Sequence, residues 1–121
     1  MKKSFRIKKR SDFIRASQRG FCWRTDSVVA QCCFNNLNTY RVGFTASKRV
    51  GNAVVRNRCK RRLRAVVDAV LGDLAIAGVD YVFIARKPTF NVKWTLLMED
   101  ATSSIQFLNN RALKCKNFCR F

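Results

Sequence analysis

The fold of this chain is decided by residues 40–71, which read YRVGFTASKRVGNAVVRNRCKRRLRAVVDAVL. The first part alternates apolar with polar or small residues, and this period of two predicts a half-buried strand. After Gly51-Asn52 the period becomes helical, so Val54–Leu71 is a predicted helix with Gly72 as its terminator. The apolar positions are Tyr40, Val42, Phe44 and Ala46 in the strand, and Val55, Cys59, Leu63, Val66 and Val70 in the helix.

Further strands are predicted on both sides of this segment. Tyr81–Ala85 is apolar throughout and predicts a strand covered on both faces. Strand, helix and strand then form a βαβ unit with parallel strands, for which the general rule gives a right-handed crossover. Upstream, Ser27–Phe34 predicts a strand and Asn35–Thr39 a turn, so we expect a hairpin between this strand and the one that begins at Tyr40.

Two more helices complete the predicted α+β sheet structure. Asp12–Arg19 is a predicted short helix, with Ser11 as its N-cap and Gly20 as its terminator. Lys93–Leu113 is a predicted amphipathic helix. Its apolar face consists of Trp94, Leu97, Ala101, Ile105, Leu108 and Ala112. A length of 121 residues fits one domain, 1–121, whose ends are a basic N-terminal segment, 1–10, and a basic C-terminal tail, 114–121.

The charged residues exclude several classes of enzyme. The chain has 25 Lys and Arg, 7 Asp and Glu and no His, which gives a formal net charge of +18. Without His there is no Ser-His or Cys-His nucleophile and no imidazole acid or base. Metal-dependent nucleases gather several carboxylates, whereas here they are scattered, and we interpret them as solubility and capping residues. The five that follow Asp26 in the sequence are Asp68, Asp73, Asp80, Glu99 and Asp100. We therefore expect no catalytic residue and no metal site in the protein itself.

The six cysteines are too few for a disulfide scaffold and predict reduced thiols that pack as small apolar side chains. Cys115 and Cys119 have the spacing of two zinc ligands, but no second pair accompanies them. No apolar run approaches the roughly 20 residues of a membrane span, and none follows the basic start of the chain as in a secretion signal. We therefore expect a cytoplasmic protein without a membrane partner.

Positive charge is concentrated on one face of the central helix. Between Asp26 and Asp68 the chain has no acidic residue, yet eight basic residues lie from Lys48 to Arg64. Like charges this close repel one another unless a polyphosphate neutralises them. The pattern therefore predicts a nucleic-acid-binding face. At about 100° per residue, the positions opposite the apolar stripe are Asn57, Lys60, Arg61 and Arg64, and those on its borders are Arg56, Arg58 and Arg62.

RNA is a better candidate partner than duplex DNA. A helix-turn-helix requires a second helix directly before the recognition helix, and this sequence predicts a strand there. A sheet with aromatic side chains can stack unpaired bases, although aromatic residues at strand spacing mostly pack inward. The candidate aromatics are Phe13, Phe21, Trp23, Phe34, Tyr40 and Phe44.

The run from Arg41 to Arg64 closely resembles the signature of the bacterial ribonuclease P protein subunit. The core of that signature is Lys-basic-x-Gly-Asn-Ala-Val-x-Arg-Asn-x-x-Lys-Arg-x-x-Arg, which this chain matches from Lys48 to Arg64. Two shorter stretches, Lys8-Lys9-x-x-Asp12-Phe13 and Ile84-Ala85-Arg86, are also similar to the family and occur in the expected order. The resemblance runs from about residue 5 to 113, nearly the whole chain.

The resemblance implies both a fold and a function. The implied fold is a ribosomal-protein-S5-domain-2-like sandwich of a mixed sheet and about three helices, with a left-handed crossover instead of a right-handed one. Family members are small basic partners of a catalytic RNA, and together they remove the 5′ leader from precursor tRNA. The RNA carries out the hydrolysis with bound Mg²⁺, so we expect the protein alone to be inactive. No obligate protein partner is evident.

The resemblance also implies roles for individual residues. The residues expected to contact RNA are Lys48, Arg49, Asn52, Arg56, Asn57, Arg58, Lys60, Arg61 and Arg64, and the charge pattern of the helix adds Arg62. Those expected to form a cleft for the single-stranded leader are Phe13, Arg56, Asn57 and Lys60. Three positions depart from the family: Ser17 and Gln31 stand where members often carry an aromatic residue, and Ala65 stands where an acidic residue is common. These departures affect how the single-stranded leader would be bound, and they do not change the residues of the RNA-binding face.

A structural RNA-binding protein of the ribosomal type would share the size and charge of this chain. Composition alone does not separate it from a ribonuclease P subunit. The long signature run does, and it favours the ribonuclease P subunit.

Overall fold

A four-stranded sheet forms the centre of the structure. The computed structural model describes residues 6–118, with side chains as far as Lys114. The strands lie in the order β1-β2-β4-β3, where β1 is Phe21–Arg24, β2 is Val28–Phe34, β3 is Arg41–Thr45 and β4 is Val79–Ala85. The helices are α1 (Arg10–Arg19), α2 (Ala53–Leu74) and α3 (Trp94–Phe118), and a 3₁₀ turn spans Lys87–Phe90. This is the predicted α+β architecture, a mixed sheet with three helices.

The strand pairing confirms one prediction and corrects another. β3 and β4 are parallel neighbours, with Val42 opposite Tyr81, so the predicted βαβ unit is present. The predicted hairpin of β2 with β3 is wrong, because β4 lies between them and pairs antiparallel with β2. A strand that is apolar throughout is favoured at the centre of a sheet, where it is covered on both faces and paired along both edges. β4 has this position, because it pairs with β2 on one side and β3 on the other. The hairpin partner of β2 is instead β1, a four-residue edge strand that we did not predict.

The two faces of the sheet differ in how completely helices cover them. On the face covered by α2 and α3, the fully buried side chains include Cys59, Leu63, Val66, Tyr81 and Phe83. On the other face a smaller apolar cluster forms around Val82, beneath α1 and Ile7. Gln31 and Thr45, which also lie on this second face, remain partly accessible. The second face therefore has space for a ligand beside α1.

Helix α1 was predicted in the right place but with the wrong N-cap. It begins at Arg10, two residues earlier than expected, and its N-cap is Lys9 instead of Ser11. The Lys9 side chain makes no capping hydrogen bond. At the other end Gly20 is the C-cap, as predicted, and its backbone N–H donates to the Ala16 carbonyl at 3.2 Å.

Both long helices extend beyond their predicted ends. Gly72 lies inside α2, which continues to Leu74, and a Cβ at this exposed position would meet nothing within 4 Å. A glycine inside a helix costs only about 1 kcal/mol, which the burial of the neighbouring Leu71 offsets. Helix α3 continues to Phe118, so residues 114–118 of the predicted basic tail are helical. Residues 119–121 lie outside the described part of the chain. The predicted apolar face of α3 is buried except for Trp94, which is exposed.

Asp80 corrects our interpretation of the acidic residues, because it is fully buried in β4 and is neither a solubility nor a capping residue. Arg41 donates to both of its carboxylate oxygens, at 2.8 Å and 2.7 Å, and the Asn35 amide donates to Oδ1 at 2.8 Å. Arg15 lies 3.0 Å from a carboxylate oxygen of Asp12 and 3.4 Å from one of Asp80. The network joins α1, β3 and β4, and its hydrogen bond to Asp80 raises the pKa of Arg41.

Three of the four cysteines with described side chains pack as the sequence predicts. Among the cysteines whose side chains are described, Cys22 is exposed and the buried thiols are Cys32, Cys33 and Cys59, all of them free. Burial raises the pKa of Cys32 to about 12, so this thiol stays neutral at physiological pH. The predicted zinc spacing falls on Cys115 and Cys119, which lie outside the described side chains.

Candidate RNA interface

The turn between β3 and α2 fixes where the basic helix begins. Gly51 has a φ of 154°, a conformation that side-chain-bearing residues rarely adopt, and a Cβ there would lie 2.9 Å from the Val55 side chain. Asn52 is the N-cap of α2, and its side-chain oxygen accepts a hydrogen bond from the Val55 N–H at 3.0 Å. Asn52, one of the predicted RNA contacts, therefore also has a structural role at this turn.

The side chains opposite the apolar stripe of α2, together with Arg56 from its border, form a basic surface. We call this surface the cationic ridge; it consists of Arg56, Asn57, Lys60, Arg61 and Arg64. Residues three or four positions apart on a helix are neighbours, so these side chains lie side by side. Four ion pairs lie in the network around Asp80, and none of these four involves a residue of the ridge. Lys48 and Arg49, in the turn before α2, are exposed as well.

Two members of the ridge contact apolar surface at its base. The Nε atoms of Arg56 and Arg64 are buried, and neither has a hydrogen-bond partner in the part of the chain that the structure describes. The Arg64 guanidinium lies 6.0 Å from the centre of the Phe44 ring. Such side chains pack with their stems and keep their charge at the surface. By contrast, Asn57 and Arg61 are exposed.

Arg58 and Arg62, on the border of the ridge, donate to backbone carbonyls in and after the 3₁₀ turn. Arg62 donates to the Thr89 carbonyl at 2.7 Å and to the Val92 carbonyl, while Arg58 donates to the Phe90 carbonyl at 3.1 Å. Burial, followed by the nearby Arg58 charge, lowers the pKa of Arg62. Sequence spacing predicts that both side chains contact RNA. In the structure they hold the turn against α2.

A second part of the candidate site lies on the open face of the sheet. The Phe13 ring of α1 rests on Gly43 of β3, where a Cβ would approach the ring to 2.5 Å. Gly43 therefore makes room for an aromatic ring on the strand. Phe13 is half-buried, so part of the ring packs on the sheet and part remains available.

Beside Phe13 is a cavity of about 410 Å³, which we call the cleft. Its lining residues are Arg10, Phe13, Ile14, Ser17, Gln31, Thr45, Val82 and Ile84. Ser17 and Gln31, the two departures from family aromatics, thus lie in the same cavity as Phe13. The structure does not place Arg56, Asn57 or Lys60 in the lining of this cavity. The predicted leader residues therefore divide between the cleft and the ridge.

The structure also has a larger basic cavity, of about 590 Å³, which we did not predict from the sequence. It lies at the start of α1, and its basic lining residues are Arg6, Lys8, Lys9, Arg15 and Arg41. The run of basic residues before α1 was the available signal. It pointed only to a basic end of the chain, because the sequence did not reveal that Ile7 pairs with Val42 and so holds this segment on β3.

The described residues offer little else that suggests chemistry. Among the side chains described, residues 6–114, no group of three His, Cys, Asp or Glu is placed to hold a metal ion. None of the described helices combines the length and the apolarity that a membrane crossing requires. Fold and site together define a class: a small, strongly basic α+β protein with a cationic helix next to an open sheet face, as nucleic-acid-binding proteins have.

Comparison with known proteins gives the family. The sequence model of the family described as Ribonuclease P matches residues 1–109. The chain is 40% identical over 106 residues to the ribonuclease P protein component of Paramagnetospirillum magneticum, covering 84% of this chain and 80% of that one. It is 41% identical over 87 residues to that of Streptococcus pneumoniae, covering 72% and 70%. This chain belongs to the ribonuclease P protein family.

Solved structures agree with this assignment. The RNase P protein of Staphylococcus aureus superposes with a TM-score of 0.73 at 29% identity, covering 87% of this chain and 95% of that chain. The RNase P protein of Thermotoga maritima superposes with a TM-score of 0.70 at 24% identity, covering 87% and 96%, and supports the fold. The protein is therefore a component of a ribonuclease P holoenzyme, with an RNA-binding role in tRNA processing.

Proposed function

We propose that the protein binds the catalytic RNA of ribonuclease P through the cationic ridge and assists removal of the 5′ leader from precursor tRNA. The observation that carries this proposal is the ridge, in which four basic side chains and Asn57 lie together on one face of α2. Phosphates would relieve the repulsion within the row and release counterions. Family membership favours this function over that of a structural RNA-binding protein of the ribosomal type.

The cleft is the proposed site of the single-stranded leader. Its mixed lining, with the Phe13 ring on one side and the polar Gln31 and Thr45 on the sheet, suits an unpaired nucleotide that stacks on one surface and is solvated on another. Arg10 at its edge supplies charge for the phosphate. In this proposal the RNA subunit hydrolyses the phosphodiester bond with Mg²⁺ that the RNA binds, and the reaction takes place in the cytoplasm.

Removal of a ridge charge should change how strongly RNA binding depends on salt. Each phosphate contact contributes about 0.7–0.9 to the slope of log affinity against log salt. We therefore expect Arg61→Ala and Arg64→Ala to weaken binding to the catalytic RNA and each to reduce that slope by about this amount. The measurement is binding affinity over a series of salt concentrations.

The matched control is Arg24→Ala, which removes an exposed arginine from β1, at the opposite edge of the sheet from β3. The control should keep the slope of the unmodified protein. An unchanged slope in both ridge variants would show that phosphates do not contact this face.

Phe13→Ala should weaken binding of precursor tRNA more than binding of mature tRNA. A base stacked on an aromatic side chain contributes about 1–3 kcal/mol, and only the precursor carries a leader. The measurement compares the affinities of the holoenzyme for both tRNAs. Phe13→Leu is the control for packing, because it keeps an apolar contact with Gly43 and removes the stacking ring; it should lose the preference for precursor while keeping the stability. Equal losses for both tRNAs would assign Phe13 to the core alone.

A further inference from the structure

We propose that the RNA-binding surface extends from α2 onto the 3₁₀ turn and the first turn of α3, where the indole of Trp94 stacks on an unpaired base of the catalytic RNA. This inference rests on the proposed function, because it adds a contact with the same partner. In this arrangement Arg62 is a positioning residue, which fixes the turn and the indole beside the ridge without itself contacting a phosphate.

The exposure of Trp94 is the first observation behind this inference. Helix α3 buries Leu97, Ala101, Ile105 and Leu108 completely, yet Trp94 at its start is 42% exposed and the nearby Leu96 is 47% exposed. An indole is the largest apolar side chain, and its flat faces are suited to stacking on a nucleic-acid base. The exposed position is thus a candidate contact and not a site of core packing.

The second observation is the way the turn is fastened next to the ridge. Thr89 is fully buried; its hydroxyl accepts a hydrogen bond from the Arg86 N–H at 2.9 Å and donates one to the Ser27 carbonyl. Arg62 holds the same turn through two carbonyls, and its guanidinium lies 5.9 Å from the centre of the Trp94 ring. Arg62 therefore links three elements: it lies on α2, it donates hydrogen bonds to the turn, and it lies against the indole. In this way it fixes where the indole lies relative to α2.

The charge around Trp94 selects the kind of partner. No acidic residue occurs between Asp80 and Glu99, whereas Arg86, Lys87 and Lys93 are all exposed in this stretch. A second copy of this chain, with its net charge of +18, would be repelled from such a surface. A polyanion with unpaired bases fits both the charges and the indole. Because the surface is continuous with α2 through Arg58 and Arg62, the partner is the RNA bound at the ridge.

Fluorescence of Trp94 tests this contact directly. The chain has two tryptophans, so Trp94 is the sole one in a Trp23→Phe variant. Titration of this variant with the catalytic RNA should quench its emission as the base stacks on the indole. Trp94→Ala should weaken binding to the RNA by about 5–150-fold, the range for one stacked base, and leave the salt slope unchanged. Trp94→Phe should recover part of the lost affinity, because it restores an aromatic face.

The role of Arg62 requires a double-variant cycle. Arg62→Lys keeps the charge but lacks the planar guanidinium that donates to two carbonyls at once. It should therefore weaken RNA binding when Trp94 is present. In the Trp94→Ala background it should have little further effect on RNA binding. Equal effects in both backgrounds would mean that Arg62 acts by its own contact with RNA, which overturns the positioning role.

The outcomes separate this inference from the proposed function. If Arg61→Ala weakens binding but the emission of Trp94 and the affinity of Trp94→Ala do not change, the extension is wrong while the ridge stands. If Arg61→Ala has no effect either, the proposed function itself fails. A change in Trp94 emission with protein concentration in the absence of RNA would indicate self-association and would overturn the choice of RNA as the partner.

Discussion

Purified protein free of RNA should leave precursor tRNA uncut, with or without Mg²⁺. The chain has no histidine to act as a general base. Among the described groups, the buried carboxylate of Asp80 is occupied by Arg41, and burial keeps the Cys32 thiol neutral. No set of described side chains is arranged to hold the metal that a protein nuclease would need.

Addition of the catalytic RNA and Mg²⁺ should give site-specific cleavage at the mature 5′ end. The measurement is the appearance of leader and mature tRNA, with RNA-free protein, protein-free RNA and the reconstituted complex assayed side by side. Arg61→Ala serves as a matched variant, since it should reduce cleavage by the complex most strongly at raised salt, where phosphate contacts weaken. Metal-dependent cleavage by the protein without RNA would overturn the assignment of the chemistry to the RNA.

Asp80→Asn should lower the free energy of unfolding by about 3–5 kcal/mol, because it removes the buried partner of Arg41 and leaves this arginine with only the 3.3 Å ion pair to Asp12. The exposed fraction of the Asp80 side chain is 0%, and that of Arg41 is 19%. For a domain of this size the expected loss is a large part of a total stability of about 5–15 kcal/mol. Urea unfolding of the RNA-free protein, followed by circular dichroism, measures the effect.

Two further variants make this experiment decisive. Asp26→Asn, at an exposed acidic residue, should change the stability by no more than about 0.5 kcal/mol. Adding Arg41→Gln to Asp80→Asn should cost much less than Arg41→Gln costs alone, because the charge pair is already broken. A loss below about 1 kcal/mol for Asp80→Asn would show that the network around Asp80 does not hold α1, β3 and β4 together.

Elements with strong local patterns were predictable from the sequence. The stripe of α2 and the apolar run of β4 each contain enough periodic positions to identify a helix and a strand, and the parallel β3–β4 pair follows from their order. What failed was the pairing of β2. A polar turn between two strands favours a hairpin locally, but the sheet gains more burial when the most apolar strand lies in the middle.

The position of the basic surface was predictable from the sequence, but the buried contacts of individual side chains were not. Helical spacing located the ridge because charge on one face of a helix is a property of the sequence alone. Whether Arg62 faces solvent or the 3₁₀ turn depends on contacts with residues about thirty positions away, which spacing does not encode. The burial of Asp80 is similar, since its partner Arg41 is a neighbour only after β3 and β4 have paired.

The position of β4 between β2 and β3 has a consequence for how the chain is made. During translation, β2 and β3 are synthesised before β4, the strand that pairs with both of them. The whole of α2 must be synthesised after β3 and before β4. A nascent chain at that stage exposes two open strand edges, the feature that makes incomplete sheets stick to one another. The strong positive charge makes such incomplete chains repel one another, so the cations that serve binding in the finished protein also oppose association of the unfinished one.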